Sequence, residues 1–254
     1  MHLALPEPPP HYKSPQQRAR AVTEGWGETN LYCAHCNSDH LNRLKANTAA
    51  IDFDCPKCNA LFQLKGRKQP IGGTLTDAAY DKMREAILTG RTPNLLALHY
   101  DSPTWRVKNL ILIPHFAFSL AAVKKRPPLS ARAKRHGWVG CNIILSNIPQ
   151  DARIPIISEG IISEASSVRR WYQRLQPLAE IPLEQRGWTL DVLNGIRTLG
   201  ESEFSLSEVY AQEERLARLH PHNHNIRPKI RQQLQILRDL GFLEFLGGGV
   251  YRIT

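Results

Sequence analysis

Apolar and polar positions along the chain predict a mixed α/β body followed by a small helical unit. The opening PEPPP reads as an extended segment. Ser14 before Pro15 supplies an N-cap and a first-turn proline, so a helix is expected from there to about Trp26. Residues 49–54 (AAIDFD) and 59–67 (NALFQLKGR) have strand character. In the second of these, alternation puts Gln63 and Lys65 on one face and turns Phe62 and Leu64 into the core. Thr74 and Asp77 have the spacing of a capping box with a shortened acid, and predict a helix with Tyr80, Met83 and Ile87 as its apolar stripe and Gly90 as its end. LLALHY (95–100) and LILIP (110–114) read as buried strands. Strands interleaved with helices in this order define a mixed α/β core.

The pattern then changes character. The passage from Ser158 to Leu183, with its Ser, Glu, Gly and Pro, is where a linker is expected, together with a helix around Arg169–Leu175. Beyond it, residues 188–199, 206–219 and 226–240 read as three short helices, and FLEFLGGGVYRI closes the chain as a glycine-turned hairpin. Three helices and a terminal hairpin describe a winged helix. The expected domains are therefore 1–180 and 185–254. In the last helix Ile226, Ile230, Leu234 and Leu237 form the core stripe and Asn225 the cap. Arg227, Lys229, Arg231, Gln232 and Gln235 are left to face a partner.

Charge narrows the class of partner. The 254 residues hold 33 Lys and Arg against 23 Asp and Glu, a net charge of +10 that favours a polyanion. No acid falls between Asp101 and Asp151, where Arg106, Lys108, Lys124, Lys125, Arg126, Arg132, Lys134 and Arg135 accumulate, and none falls between Arg215 and Arg238. Two separate basic surfaces follow, with solvated faces of an ordinary basic protein as the alternative reading. No apolar run approaches the roughly 18 residues of a membrane span. MHLALPEPPPHYK lacks the apolar region of a signal peptide, so a cytoplasmic protein without membrane contact is expected.

Five cysteines are present. Cys33-x-x-Cys36 and Cys55-x-x-Cys58, separated by 18 residues, have the spacing of a structural zinc site, the alternative being reduced thiols without a ligand. Four thiolates saturate a tetrahedral ion, so His35 and His40 are not needed, and Cys141 is left as a small buried apolar residue. Such a site would pin the turn between the strands at 49–54 and 59–67. Hydrolysis of a phosphodiester needs a divalent ion on hard oxygens and a cation near the attacking water. If those strands form a hairpin, Asp52, the Gln63 amide oxygen and the Leu64 carbonyl would hold magnesium and Lys65 would polarise the water. A surface ion pair is the alternative for Asp52 and Lys65. Glu24 is a candidate second acid, and Asp54, sharing parity with Asp52, could also reach the site.

The segments YCAHCN, IDFDCPKCNALFQLKGRK, RAKRHGWVGCNI, QRGWTLDVLN and KIRQQLQILRD, in this order over nearly the whole chain, resemble the DpnI-like methyladenine-dependent restriction endonucleases. The resemblance implies a PD-(D/E)XK nuclease domain with structural zinc joined to a winged helix. It implies type II, magnesium-dependent cleavage of double-stranded DNA at GATC sites carrying N6-methyladenine, by a monomer with two DNA-binding domains. On that pattern Asp52 and Lys65 take the acid and lysine roles, while Gln63 stands where the family has glutamate. Trp138, flanked by Arg135 and His136, becomes the candidate for contact with the base pair or its methyl group, or else a packed residue on a glycine-rich turn. Trp171 and Trp188 are expected in the core. A zinc-ribbon and winged-helix regulator that binds DNA without cutting it is the competing class.

Overall fold

The computed structural model describes residues 1–8, 11, 14–45 and 51–254. Helix α1, Pro15–Asn30, starts as the sequence dictates: the Ser14 hydroxyl accepts the Gln17 amide hydrogen and Pro15 occupies the first turn. It runs past Trp26, whose ring is fully buried. Next come β1 (Asn42–Arg43), β2 (Phe53–Asp54) and β3 (Leu61–Arg67). Ala49 and Ala50 of the expected first strand lie outside the described residues.

Thr74–Ala79 is a strand, β4, and not the start of a helix. Helix α2 begins only at Tyr80 and runs to Leu88, with Ala79 at its N-cap position and no side chain capping it. Residues 74–77 alternate exposed and buried, with Leu75 and Asp77 turned inward, so the period of two outweighed the capping-box spacing. Strands β5 (Asn94–Asp101) and β6 (Arg106–Ile113) are the two apolar strands expected, and they pair antiparallel. After them come β7 (Val123–Lys125), β8 (Gly140–Ile144), β9 (Ile154–Ser158) and β10 (Ile161–Ile162).

The main sheet has seven strands in the order β1-β2-β3-β5-β6-β9-β10, with β3 and β5 parallel and the other neighbours antiparallel. The crossover from β3 to β5 carries β4 and α2, and β4-β8-β7 forms a second, three-stranded sheet. Helix α1 lies on β2 and β3 at two glycines. A Cβ on Gly27 would stand 2.7 Å from the Phe53 ring, and one on Gly66 would stand 2.6 Å from Thr23.

Helices α3 (Ala165–Leu175) and α4 (Pro177–Glu180) fill much of the passage expected as linker. Trp171 is not a core residue: it is 41% exposed and donates its indole hydrogen to the Asp151 carbonyl. Trp188, in α5 (Leu183–Leu199), is buried as expected. Every residue of α5 from Trp188 to Ile196 is buried, because the helix packs on both sides. Its inward polar groups are each satisfied: Asp191 accepts from the Ser119 hydroxyl at 2.8 Å and contacts His220 at 2.9 Å. Thr189 donates to Gln233 at 2.7 Å and Asn194 to the Ser146 carbonyl at 3.0 Å.

The final unit adds a short strand the sequence pattern did not show, β11 (Glu203–Ser205), and splits the helix expected over 206–219 into α6 (Leu206–Tyr210) and α7 (Glu213–Leu219). Helix α8 (Ile226–Asp239) buries Ile226, Ile230, Leu234 and Leu237. Asn225 stands at its N-cap position, but its side chain makes no capping bond. The hairpin β12 (Leu243–Gly247) and β13 (Val250–Ile253) joins β11 in a sheet of order β11-β13-β12. No helix among the described residues is long and apolar enough to cross a membrane.

Candidate active site and nucleic-acid interface

Strands β2 and β3 form the hairpin that the site requires. Phe53 pairs with Phe62 and Asp54 with Leu61, and the Asp52 amide hydrogen continues the ladder onto the Phe62 carbonyl at 2.9 Å. Their connection is the second cysteine pair. Its turn closes through the Asn59 amide donating to the Cys55 carbonyl at 2.9 Å, with Asn59 in the left-handed region at φ 59°.

The four sulfurs of Cys33, Cys36, Cys55 and Cys58 all lie within 4.8 Å of one another. Cys33 and Cys58 are 3.6 Å apart, and Cys36 and Cys55 are 3.5 Å apart. Zinc bonds of about 2.3 Å to tetrahedral thiolates place sulfurs about 3.8 Å apart, so the cluster can hold such an ion. Burial works against the Cys55 thiolate, but the amide hydrogens of Cys58 and Lys57 outweigh it and bring this thiol down to about 7. Cys141 is fully buried, and burial followed by the nearby Asp77 charge pushes its thiol up to about 11.

Beyond Phe62 no strand among the described residues pairs with the edge of β3 facing β2, and the Asp52 carboxylate meets the backbone there. Its Oδ2 accepts the Leu64 amide hydrogen at 2.8 Å. In an extended residue N–H and C=O leave on the same side, so the Leu64 carbonyl is aimed to the same edge. Burial raises the Asp52 carboxyl above its ordinary range, the Leu64 hydrogen bond opposes this, and the charge of Glu24 adds to it.

Asp52, Gln63, Leu64 and Lys65 line one cleft of about 670 Å³, together with Arg20 and Thr23 of α1 and the basic residues Arg67 and Lys68. The structure thus brings together the candidate residues of the hairpin. Asp54 and Glu24 do not line the cleft. Both Glu24 oxygens are engaged, one by Arg20 and the other by Arg43 at 2.8 Å.

Two charges in this region were not foreseen. Arg20 reaches Asp52 Oδ1 at 3.3 Å, and Asp77 meets the Lys65 ammonium at 2.6 Å. The sequence signal for Asp77 was the alternation of β4, masked by the capping-box spacing. Arg20 sits four residues before Glu24 on α1, a spacing that already pairs them, but its reach to Asp52 depends on the helix lying over the hairpin.

Trp138 and Arg135 belong to the loop between β7 and β8. That loop is held by its own backbone: Leu129 donates to Trp138 at 2.9 Å, Gly137 to Leu129 at 3.0 Å and Trp138 to Arg135 at 3.0 Å. The Arg135 guanidinium lies 4.6 Å from the centre of the Trp138 ring, within cation–π range. The ring also packs against Gly140, where a Cβ would come within 2.7 Å of it. On α8, Arg227, Arg231 and Gln232 are exposed and Lys229 is half-buried. Arg227 donates to Glu213 at 2.8 Å and Lys229 to Gln232 at 2.8 Å. None of these loop or helix residues lines the Asp52 cleft.

Residues 7–181 match the model of the Dam-replacing family, DpnI, and residues 184–253 match that of the Dam-replacing HTH domain, DpnI_C. The chain belongs to the Dam-replacing family. Membership implies a restriction endonuclease, and the Dam-replacing HTH domain implies DNA binding through the final unit. For this Dam-replacing chain the two matches part between residues 181 and 184, where α4 gives way to α5.

Proposed function

We propose that the chain is a type II, methylation-dependent endonuclease that hydrolyses double-stranded DNA at GATC sites carrying N6-methyladenine. In this reading residues 1–180 are a PD-(D/E)XK nuclease domain and residues 185–254 a winged helix, acting as a monomer in the cytoplasm. The observation that carries it is the convergence of Asp52, Gln63, Leu64 and Lys65 on a single cleft with a basic rim.

The donor set suits magnesium: one carboxylate, one amide oxygen and one backbone carbonyl are hard oxygen ligands, and a cation would offset the burial of Asp52. Magnesium, when bound, supplies Lewis acidity to the phosphate. Asp52, Gln63 and Leu64 hold and orient. Lys65 places its ammonium beside the attacking water and the charge that grows on phosphorus. Arg20, Arg67 and Lys68 receive the phosphate backbone. Cys33, Cys36, Cys55 and Cys58 would hold zinc, which when bound would brace the β2–β3 turn and with it the spacing of Asp52 to Leu64.

Methyl recognition is assigned to two surfaces, the Trp138–Arg135 loop and α8 with Arg227, Lys229, Arg231 and Gln232. One methyl group in a pocket discriminates by about 1–3 kcal/mol, or roughly 10–200-fold, so reading the mark twice makes the response stringent. The decisive experiment incubates the protein and magnesium with GATC duplexes that are fully methylated, half-methylated or unmethylated. Cleavage confined to methylated duplexes is expected, and equal cleavage of all three would remove the methyl reading. Gln63, a weaker ligand than the carboxylate the family has there, favours one second reading, a regulator that binds without cutting. That reading predicts a gel shift of methylated duplex and no cleavage at any magnesium concentration.

A further inference from the structure

We infer that Asp77 is a positioning residue for Lys65, and that it supplies from β4 the second negative charge that Gln63 does not; this rests on the nuclease reading above. Lysine is a long, flexible cation, and its four-carbon stem must be fixed if the ammonium is to act at one point. Here Lys65 Nζ lies 2.6 Å from Asp77 Oδ1. The two side chains differ in access: Lys65 keeps 27% of its surface exposed and lines the cleft, while Asp77 keeps 2%. The carboxylate therefore stands behind the ammonium, on the wall away from solvent, and leaves the other ammonium hydrogens free to face the cleft.

Apart from the Lys65 ammonium, no donor among the described residues reaches Asp77 Oδ1, and the residue paired with it across the ladder, Cys141, carries a buried thiol. A buried carboxylate with a single counter-ion binds that ion tightly, since separating the two leaves an uncompensated charge in a low dielectric. The anchor is held in a sheet, because Asp77 pairs with Cys141 in the β4–β8 ladder, beside the register shift between Asp77 and Ala79. Two charge pairs thus stand at the cleft, Asp52 with Arg20 and Lys65 with Asp77, without an acid at position 63, while Arg67 and Lys68 keep its rim basic.

The test uses the full-length protein, methylated GATC duplex and single-turnover cleavage. Asp77→Asn, nearly isosteric, should slow cleavage by about 10–100-fold through misplacement of the ammonium, and leave duplex affinity unchanged. Asp77→Glu should recover part of the lost rate. In a Lys65→Met background Asp77→Asn should change the residual rate by less than about twofold, because the group it positions is gone. Wild-type cleavage by Asp77→Asn, or losses that multiply in the double variant, would overturn the inference.

Melting temperatures supply an independent arm should Asp77→Asn fold poorly. Lys65→Met strands the carboxylate and should melt below the Lys65→Met/Asp77→Asn pair; the reverse order would overturn the inference as well. Failure of the wild-type protein to cut would instead bring down the nuclease reading, and is distinguished by that control.

Discussion

Gly66, next to Lys65 on β3, offers a sharp test of how α1 is seated over the cleft. Alanine there would place a Cβ 2.6 Å from Thr23 Cγ2, 2.9 Å from its Oγ1 and 3.0 Å from its Cβ. Ordinary carbon contacts lie at about 3.5–4.0 Å, so the overlap is near 1 Å. Thr23 cannot turn away easily, because its hydroxyl donates to the Ala19 carbonyl at 2.9 Å and the Arg20 carbonyl at 3.2 Å. The helix itself must back off. Overpacking of this kind costs about 1–3 kcal/mol. Replacing glycine in a strand returns about 0.5–1 kcal/mol of backbone entropy, and the centres of the two ranges leave a net loss of about 1.3 kcal/mol. At about 2–4 °C per kcal/mol for a chain of this size, Gly66→Ala should melt about 2.5–5 °C low. The assay is a double-mutant cycle by thermal and urea denaturation with Thr23→Ala, which removes the two closest atoms. The paired variant should recover most of the Gly66→Ala loss relative to Thr23→Ala alone. A coupling energy near zero, or a Gly66→Ala protein as stable as the parent, would refute the seating of α1.

Other outcomes follow from the same geometry. Gln63→Glu adds a carboxylate to the proposed magnesium ligands and should lower the magnesium concentration for half-maximal cleavage; an unchanged titration would argue that residue 63 is not a ligand. Cys58→Ser or a zinc chelator should lower both the melting temperature and cleavage, and elemental analysis of the native protein should find stoichiometric zinc; a metal-free protein of full stability would dismiss the cluster as a metal site. Burial, and then the charges of Arg186 and His35, depress the His115 imidazole to about 4. The unfolded chain, titrating near 6.5, therefore binds more protons between those values, so the neutral-histidine contribution is complete above about pH 6.5 and lost as pH falls towards 4. His115→Gln should flatten that dependence by no more than about 2 kcal/mol after allowance for partial exposure, and identical pH profiles would refute it. Trp138→Ala should stay folded while methyl discrimination blurs or cleavage ends, and wild-type selectivity would remove Trp138 from the recognition surface.

The sequence revealed most where a local rule acted alone. The N-cap and proline of α1, the apolar runs of β5 and β6 and the stripe of α8 each depend on near neighbours, and each is found as read, while the doubled cysteine motif converges into a cluster that could hold zinc. The hairpin was legible too, because the cysteine pair marks its turn and parity tells which side chains share a face. What stayed hidden depends on tertiary placement. Residues 74–79 satisfy both a capping pattern and a strand pattern, and the partner strand β8, more than 60 residues away, decides between them. Arg20 and Asp77 enter the site only once α1 and β4 have been laid beside the hairpin. The break between α6 and α7 likewise follows from packing: the Gln212 side chain turns back to donate to the Gly195 carbonyl of α5 at 2.9 Å.

Helix α5 has a consequence for how such a protein can be altered. Its polar side chains are held from both directions, by Ser119 and Ser146 on one flank and by Gln233 and His220 on the other. It is a keystone, finished only when masonry stands on each side. Cutting the chain before it would take the Ser146 carbonyl from Asn194 and the Ser119 hydroxyl from Asp191, leaving Asp191 with His220 alone, so the final unit is not a cassette to be unplugged and grafted. A chimera keeps its footing only if Ser119 and Ser146 travel with the helix.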